Sequence, residues 1–548
     1  MKAEGDPLLQ FGIFNGNYTY VADKLSVSVS NQDFSFNEKN NKYSLVRDVY
    51  NEGKTTHTER DSKESQFTMN DAYVSADVDY AVSPQTYISL RPYYSASSQK
   101  HNRVYEGIVS SDNGSGYTLE TSEKQHDDYE RYGAEAYYQT RLNSIWSGNI
   151  DFNYSSTTTN GDDFYRELND GNFAYENIQE SHNRNQSMNV QVNLQQKLKN
   201  VQLEDGYRLY WQNYDFENTT NSILNRTEHD EWRNYLYANV LGKINKQFSY
   251  QLGIGFDWVK TTLSNGLGGT HSSLMPNAML RYLVNNAQNI TLDYRMTRQS
   301  PSSTMLNPIP VYLDSVRIVT GNPNLLPFYS NRMRLAYERS KGKLYVNASL
   351  QYYLASSSIT SREYLEGEKY HITYANADRY SKTSFNLNLS LNVLKWWKVM
   401  ADASLNHHIY SDAHQEQFNK KFWSPSLGLQ SMLNYNRLFA YLYFPINFRT
   451  QTLTGYSFVT YESWVNASYR LNKGWSVTAG IRYLSPVIYK TETYREHFSE
   501  IHTDHKTTRY FRFLVGIQYN FQRGKQKDYK QKNIQEYDDE VNIGTKVY

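Results

Sequence analysis

Phe385-Asn-Leu-Asn-Leu-Ser-Leu-Asn-Val393 alternates apolar and polar residues without a fault. A strand points successive side chains to opposite faces, so this run has one apolar and one polar face. Leu25-Ser-Val-Ser-Val-Ser30 and Met188-Asn-Val-Gln-Val-Asn-Leu-Gln195 repeat the pattern. Period 2 governs almost the whole chain, and no helical stripe of comparable regularity interrupts it. The sequence therefore predicts an all-β protein.

Just beyond the opening stretch, Lys395–Trp396 reads as a tight turn. Comparable turns fall at Val21–Lys24, Ser83–Thr86, Asn143–Ser144, Lys199–Asn200, Asn245–Gln247, Asn285–Gln288, Lys341–Gly342, Asn436–Arg437 and Asn472–Gly474. Asn, Lys and Gly dominate them, as hairpin geometry requires. Between them the sequence predicts longer polar connections at about 37–66, 100–126, 158–182, 216–229, 263–271, 300–328, 359–380, 412–421, 451–457 and 490–507. Alternate connections of an antiparallel meander fall on opposite rims. All tight turns then lie on one rim and all long loops on the other, which predicts a large antiparallel transmembrane β-barrel with short periplasmic turns and long extracellular loops.

Composition agrees. Among 548 residues there are 51 Tyr, 23 Phe and 9 Trp, yet the mean hydropathy is −0.76. Disordered chains are equally polar but poor in aromatics. An apolar outer face, a polar lumen and aromatic girdles account for both figures. Trp146, Trp396, Trp397 and Trp475 lie near tight turns, where such a girdle is expected. The balance of 57 basic and 56 acidic residues argues against nucleic acid as a partner. Without cysteine there is neither a disulfide framework nor Cys-ligated zinc. No apolar run reaches the roughly 20 residues of a spanning helix, so any membrane passage is by strands.

The strand count is about twenty-one. The first strand, Leu8–Tyr20, precedes a tight turn and the last, Arg509–Phe521, follows a long loop, so both descend. Bacterial single-chain barrels usually have even counts, so one ascending strand is expected before Leu8, giving twenty-two. In the last strand Phe511, Phe513, Val515, Ile517, Tyr519 and Phe521 are expected to face lipid, and Arg512, Gln518 and Asn520 the lumen. The expected division is a barrel over 1–521 and a flexible polar periplasmic tail over 522–548. The opening MKAEGDPLLQF has no signal-peptide apolar core.

One connection stands apart. Pro301–Tyr329 holds five of the chain's 12 prolines, which lack the N–H a ladder needs, so it reads as a long irregular excursion. Its second half, Gly321-Asn-Pro-Asn-Leu-Leu-Pro-Phe-Tyr-Ser330, resembles the GNPNLxPxxS segment of TonB-dependent receptor barrels, especially those of Bacteroidetes. Gly321, Asn322, Pro323, Asn324, Leu325 and Pro327 carry the match, and Thr297–Pro301 and Leu306–Pro308 are similar to that family's lead-in. Gly516, Tyr519 and Phe521 resemble the signal read by the outer-membrane assembly machinery, with Leu514 where a polar residue is usual.

The resemblance implies an integral outer-membrane protein surrounded by lipid, inserted by that machinery. It also implies nutrient uptake (a metal chelate, glycan or peptide) energised by the TonB complex. TonB acts in such receptors on a globular plug, for which the few residues before Leu8 leave no room. The resemblance thus extends to the barrel portion only, and the expectation is a barrel fragment lacking its plug and first strand. A passive channel or structural barrel without TonB coupling remains the alternative.

No Walker loop, zincin helix or nucleophile elbow occurs, so neither an enzyme nor a cofactor is expected. Gly266–Gly269 reads as a loop tip. The candidate metal ligands are His497, Glu500, His502 and His505 in the last long connection, with His407, His408 and His414 behind them. A solvated polar loop explains the same residues. Tyr312, Phe328 and Tyr329 could stack on a ligand or pack the loops together.

Overall fold

The computed structural model describes residues 8–520, apart from 40, 52, 265, 267, 368, 378, 413–418, 461–462, 473, 483, 485–486 and 507–511. The expected tail, Phe511 and Phe521 lie outside the described residues.

Twenty-one of the 26 strands in the main sheet form a continuous antiparallel wall, from Leu8–Val21 to Arg512–Tyr519. Neighbours in the wall are neighbours in sequence order, as a meander demands. All ten tight turns are where the sequence predicts them. Asn143 and Asn245 show the local cause: each side-chain oxygen accepts the backbone N–H groups two and three residues on, closing the turn.

The two faces follow the pleat. Phe385, Leu389 and Leu391 are exposed on the outer face, while Asn386, Asn388 and Ser390 turn inward. On the last strand Phe513 and Val515 are each 74% exposed and Ile517 is 70% exposed, on the face expected to meet lipid. Such values exceed those of most outward residues elsewhere because this strand pairs only with Trp475–Arg482 among the described residues. The first strand likewise pairs only with Leu25–Lys39. These two edges both run toward the tight-turn rim, so a strand lying between them would have to ascend.

The structure corrects the predicted loop lengths. Connections expected at 100–126, 158–182 and 216–229 are mostly strand: Thr86–Ser111 and Gly116–Arg141 leave four residues between them, and Trp146–Asn169 and Asn172–Lys197 leave two. Crossing a bilayer takes about 9–11 strand residues, whereas Lys54–Ser83 has 30. The third to ninth strands of the wall thus rise far above any membrane. Water bathes both faces there, so the sequence alternation that marks lipid contact fades while the hydrogen-bonded ladder continues.

Other long connections fold into a cap. Lys42–Asn51, Arg449–Gln451, Gly455–Val459, Val487–Tyr494 and Phe498–Lys506 extend the main sheet beyond the long-loop rim. Their pairing runs from Gly455–Val459 through Val487–Tyr494, Phe498–Lys506 and Lys42–Asn51 to Lys54–Ser83. The cap therefore ties the late connections to the early wall. The proline-rich excursion is less irregular than its sequence predicts: it holds a four-residue helix, Ser303–Leu306, and the short strands Val311–Tyr312 and Arg317–Val319. Arg317–Val319 pairs in parallel with Lys369–Asn376, whose antiparallel partner is Ile359–Glu366, making a separate four-stranded sheet.

Candidate functional site

The excursion leaves the wall between its twelfth and thirteenth strands, Gln288–Gln299 and Phe328–Lys341. It reaches the sixth and seventh. Ser315 donates its N–H and hydroxyl to Glu167 at 3.4 and 2.8 Å, and Asn177 donates to the Tyr312 carbonyl at 3.4 Å. Contacts so far round the wall mean that the segment crosses the lumen at the long-loop rim.

A buried ion network holds it there. Asp314, 2% exposed, pairs with Arg47 and Arg317, both at 2.9 Å. Glu500 pairs with the same two guanidiniums at 2.9 and 3.3 Å. Burial alone would raise the Asp314 carboxyl, but Arg317, Arg47 and Arg60 outweigh it and hold the group well below the usual carboxylate range. Glu500 behaves likewise: burial opposes ionisation, and Arg317 with Arg47 overrides it. Arg60, on the tall wall, donates to Thr121 at 2.9 Å and lies 3.4 Å from Glu123, its guanidinium over the Tyr105 ring. A second anchor joins Arg495 to Glu363 at 2.6 Å, and Arg362 pairs with Asp412. Burial dominates at Glu363 and raises its carboxyl, despite Arg495.

The segment that carries the family resemblance is a brace within this cap. Gly321 N–H donates to the Asn307 carbonyl at 2.8 Å and Asn322 N–H to that of Met305 at 2.6 Å, folding the excursion on itself. A Cβ on Gly321 would stand 2.4 Å from the Asn307 oxygen and 2.7 Å from the Met305 oxygen. The Asn322 amide donates to the Tyr374 carbonyl at 2.9 Å, and Asn376 exchanges hydrogen bonds with Leu326, both at 3.0 Å. Asn324 N–H caps the Asn322 side chain at 2.9 Å and Leu325 is buried. Pro323 and Pro327 flank these bonds. Tyr312, Phe328 and Tyr329 are all half-buried.

Among the described side chains, His497, Glu500 and His502 form no three-ligand group. Glu500 is committed to arginines, and half-buried His502 lies 6.5 Å, ring to ring, from Tyr43. The His497 ring lies 4.0 Å from its neighbour Glu496. No group of three or more such side chains able to hold a metal occurs among the described residues. The side chain of His505 and all of His414 lie outside that description. His407 stacks outward on Trp423 at 4.4 Å. Gly516 and Tyr519 lie in the last strand.

Sequence reading missed the ion network. Asp314-Ser-Val-Arg317 has the spacing of a local pair, but its partners lie elsewhere in the chain; Arg47 and Glu500 are 453 residues apart.

Residues 149–519 match the family model described as the outer membrane protein beta-barrel family. No curated protein matches the sequence. Among solved structures, the ferric citrate transporter FecA shares 10% identity at a TM-score of 0.58, over 91% of this chain and 78% of its own. The siderophore receptor PiuA from Acinetobacter baumannii shares 11% identity at 0.57, over 92% and 82%. The siderophore receptor PirA from Pseudomonas aeruginosa shares 13% identity at 0.52, over 92% and 81%. At these identities the likeness is one of fold.

Proposed function

The chain belongs to the outer membrane protein beta-barrel family and is integral to the outer membrane; from that premise we propose that it is the barrel of a TonB-dependent uptake receptor for a metal chelate, a glycan or a peptide. It acts as a transporter and not as an enzyme. The observation that carries this reading is the excursion pinned across the outer mouth by Asp314, Arg47, Arg317 and Glu500. A passive channel works with an open mouth. A mouth crossed by the protein's own chain suits a receptor, in which ligand binding and an energy source displace the obstruction. The structural neighbours named above as siderophore receptors and a ferric citrate transporter support the same class. TonB would act through a plug domain, and none of the described residues forms one.

The test is growth of a strain lacking the gene on limiting ferric chelates, oligosaccharides or peptides. The expected result is loss of growth on one nutrient class, restored by the gene and lost again when TonB is inactivated. Restoration that ignores TonB would instead identify a passive channel.

A further inference from the structure

The polar inner face of the wall carries a stack of rings where Ser and Asn prevail below. Tyr353, Tyr380, His408, Tyr410 and Phe422 come from four adjacent strands, Leu344–Ser356, Arg379–Leu394, Trp397–Ser411 and Lys420–Tyr435. Register fixes their side. Tyr380 faces Tyr410 and His408 faces Phe422, on the same face as Ser404, Asn406, Ser424 and Ser426. Leu405, Leu427 and Leu429 occupy the opposite, outer face. The rings are therefore luminal and cannot belong to a lipid girdle. They cluster at the ends of their strands nearest the long-loop rim, inside the outer mouth.

Their geometry is a continuous platform. Tyr380 and Tyr410 stack at 4.4 Å and 26°, and His408 and Phe422 at 4.7 Å and 14°. Tyr410 lies 6.0 Å from Phe422, and Tyr353 lies 5.8 Å from Tyr380. His408 is fixed from both sides, by the Tyr380 hydroxyl at 3.0 Å and the Ser424 hydroxyl at 2.8 Å. Ser404 and Ser426 bond at 2.7 Å directly below. Among the described residues, every hydrogen bond and ring contact of the five is to another wall residue, and none is to the cap. Four of the five keep part of their surface open.

We propose that this ring stack is a ligand subsite for a neutral oligosaccharide, which deepens and rests on the uptake reading above. Sugar rings present C–H faces that lie flat on aromatic rings, and their hydroxyls exchange hydrogen bonds with uncharged Tyr, His, Ser and Asn groups. The guanidiniums of the mouth, the groups best suited to an anionic chelate, are already committed. The arginines at the mouth, Arg60 of the wall and Arg47, Arg317, Arg362 and Arg495 of the cap, each already face a carboxylate, so an anionic chelate would have to break buried ion pairs to use them. Lys382 and Lys420 share the ring face and serve as hydroxyl donors at its edge.

The test is isothermal titration of the purified full chain in detergent with maltohexaose, cellohexaose, xylohexaose and mannohexaose, and with ferric citrate as the anionic probe. Heat-modifiability verifies that each variant is folded. The expected result is saturable binding of at least one sugar, weakened about tenfold in Tyr410→Ala and in Tyr380→Ala and within about threefold of wild type in Tyr410→Phe, which keeps the ring. Saturation by none of the sugars, or an affinity unmoved by both alanine variants, overturns the inference. Ferric citrate binding that disappears in Tyr410→Ala overturns the class assigned to the site. A protein that passes the TonB-dependent growth test on a ferric chelate yet binds no sugar refutes this inference alone and leaves the uptake reading standing.

Discussion

Replacing Asp314 by alanine leaves the Arg47 and Arg317 guanidiniums buried without their shared carboxylate. Breaking a buried pair by removing one partner costs about 3–5 kcal/mol, because a charge stays in low dielectric uncompensated. Glu500 still faces both arginines, which places the expected loss at the lower end. Hydrogen exchange of 301–327 should therefore speed up in Asp314→Ala while the barrel keeps its heat-modifiability. Unchanged exchange would show that the network does not hold the excursion. Acid acts on the same groups. Asp314 and Glu500 have folded pKa values below their unfolded ones, so their contribution is complete above about pH 4 and is lost as pH falls through the folded values. His502, lowered by burial, loses its contribution earlier, as pH falls below about 6.5. Glu363, raised by burial, opposes the trend, since its contribution is lost as pH rises past about 4.3. Against its burial, Glu492 is held low by Arg449 and Lys490 and joins Asp314, Glu500 and His502. Four groups against one predict that the cap loosens on acidification, read as faster exchange of 301–327 after correction for the intrinsic rate. Gly321→Ala would drive a methyl into two backbone carbonyls and should displace the excursion with the same readout.

Among elements, the last strand gives the sharpest test of facing. Val515→Arg puts a guanidinium on the lipid face, at a cost of about 2–4 kcal/mol near mid-bilayer, whereas Gln518→Arg enters the lumen. Folding yield into lipid should fall for the first and hold for the second; equal yields would refute the facing. Strands such as Phe385–Val393 were legible in the sequence because lipid and lumen impose opposite polarities on alternate residues. Thr158-Thr-Asn-Gly-Asp-Asp163 reads as loop in the sequence because both of its faces meet water. Its ladder with Arg184-to-Gln179 is backbone bonding, which leaves no hydropathy trace. The excursion's prolines marked its departure from the wall, but its landing points were hidden. Ion pairs such as Arg47–Asp314 join residues that only the folded meander brings together.

At the scale of the molecule, the tight-turn rim, the tall early wall and the capped mouth form one arrangement. The alternation of connections decided barrel and sidedness from sequence, and the wall strands confirm it. The luminal ring stack was hidden for the same reason as the ion network: Tyr353, Tyr380, Tyr410 and Phe422 sit on polar faces, where alternation predicts no ring. The outer mouth is crossed by the protein's own chain. Single-channel recording of the purified full chain in planar bilayers tests this most directly. The expected trace shows no persistent open pore for the wild type and conducting steps for Asp314→Ala. A defined, steady pore in the wild type, unaltered by that substitution, would contradict it.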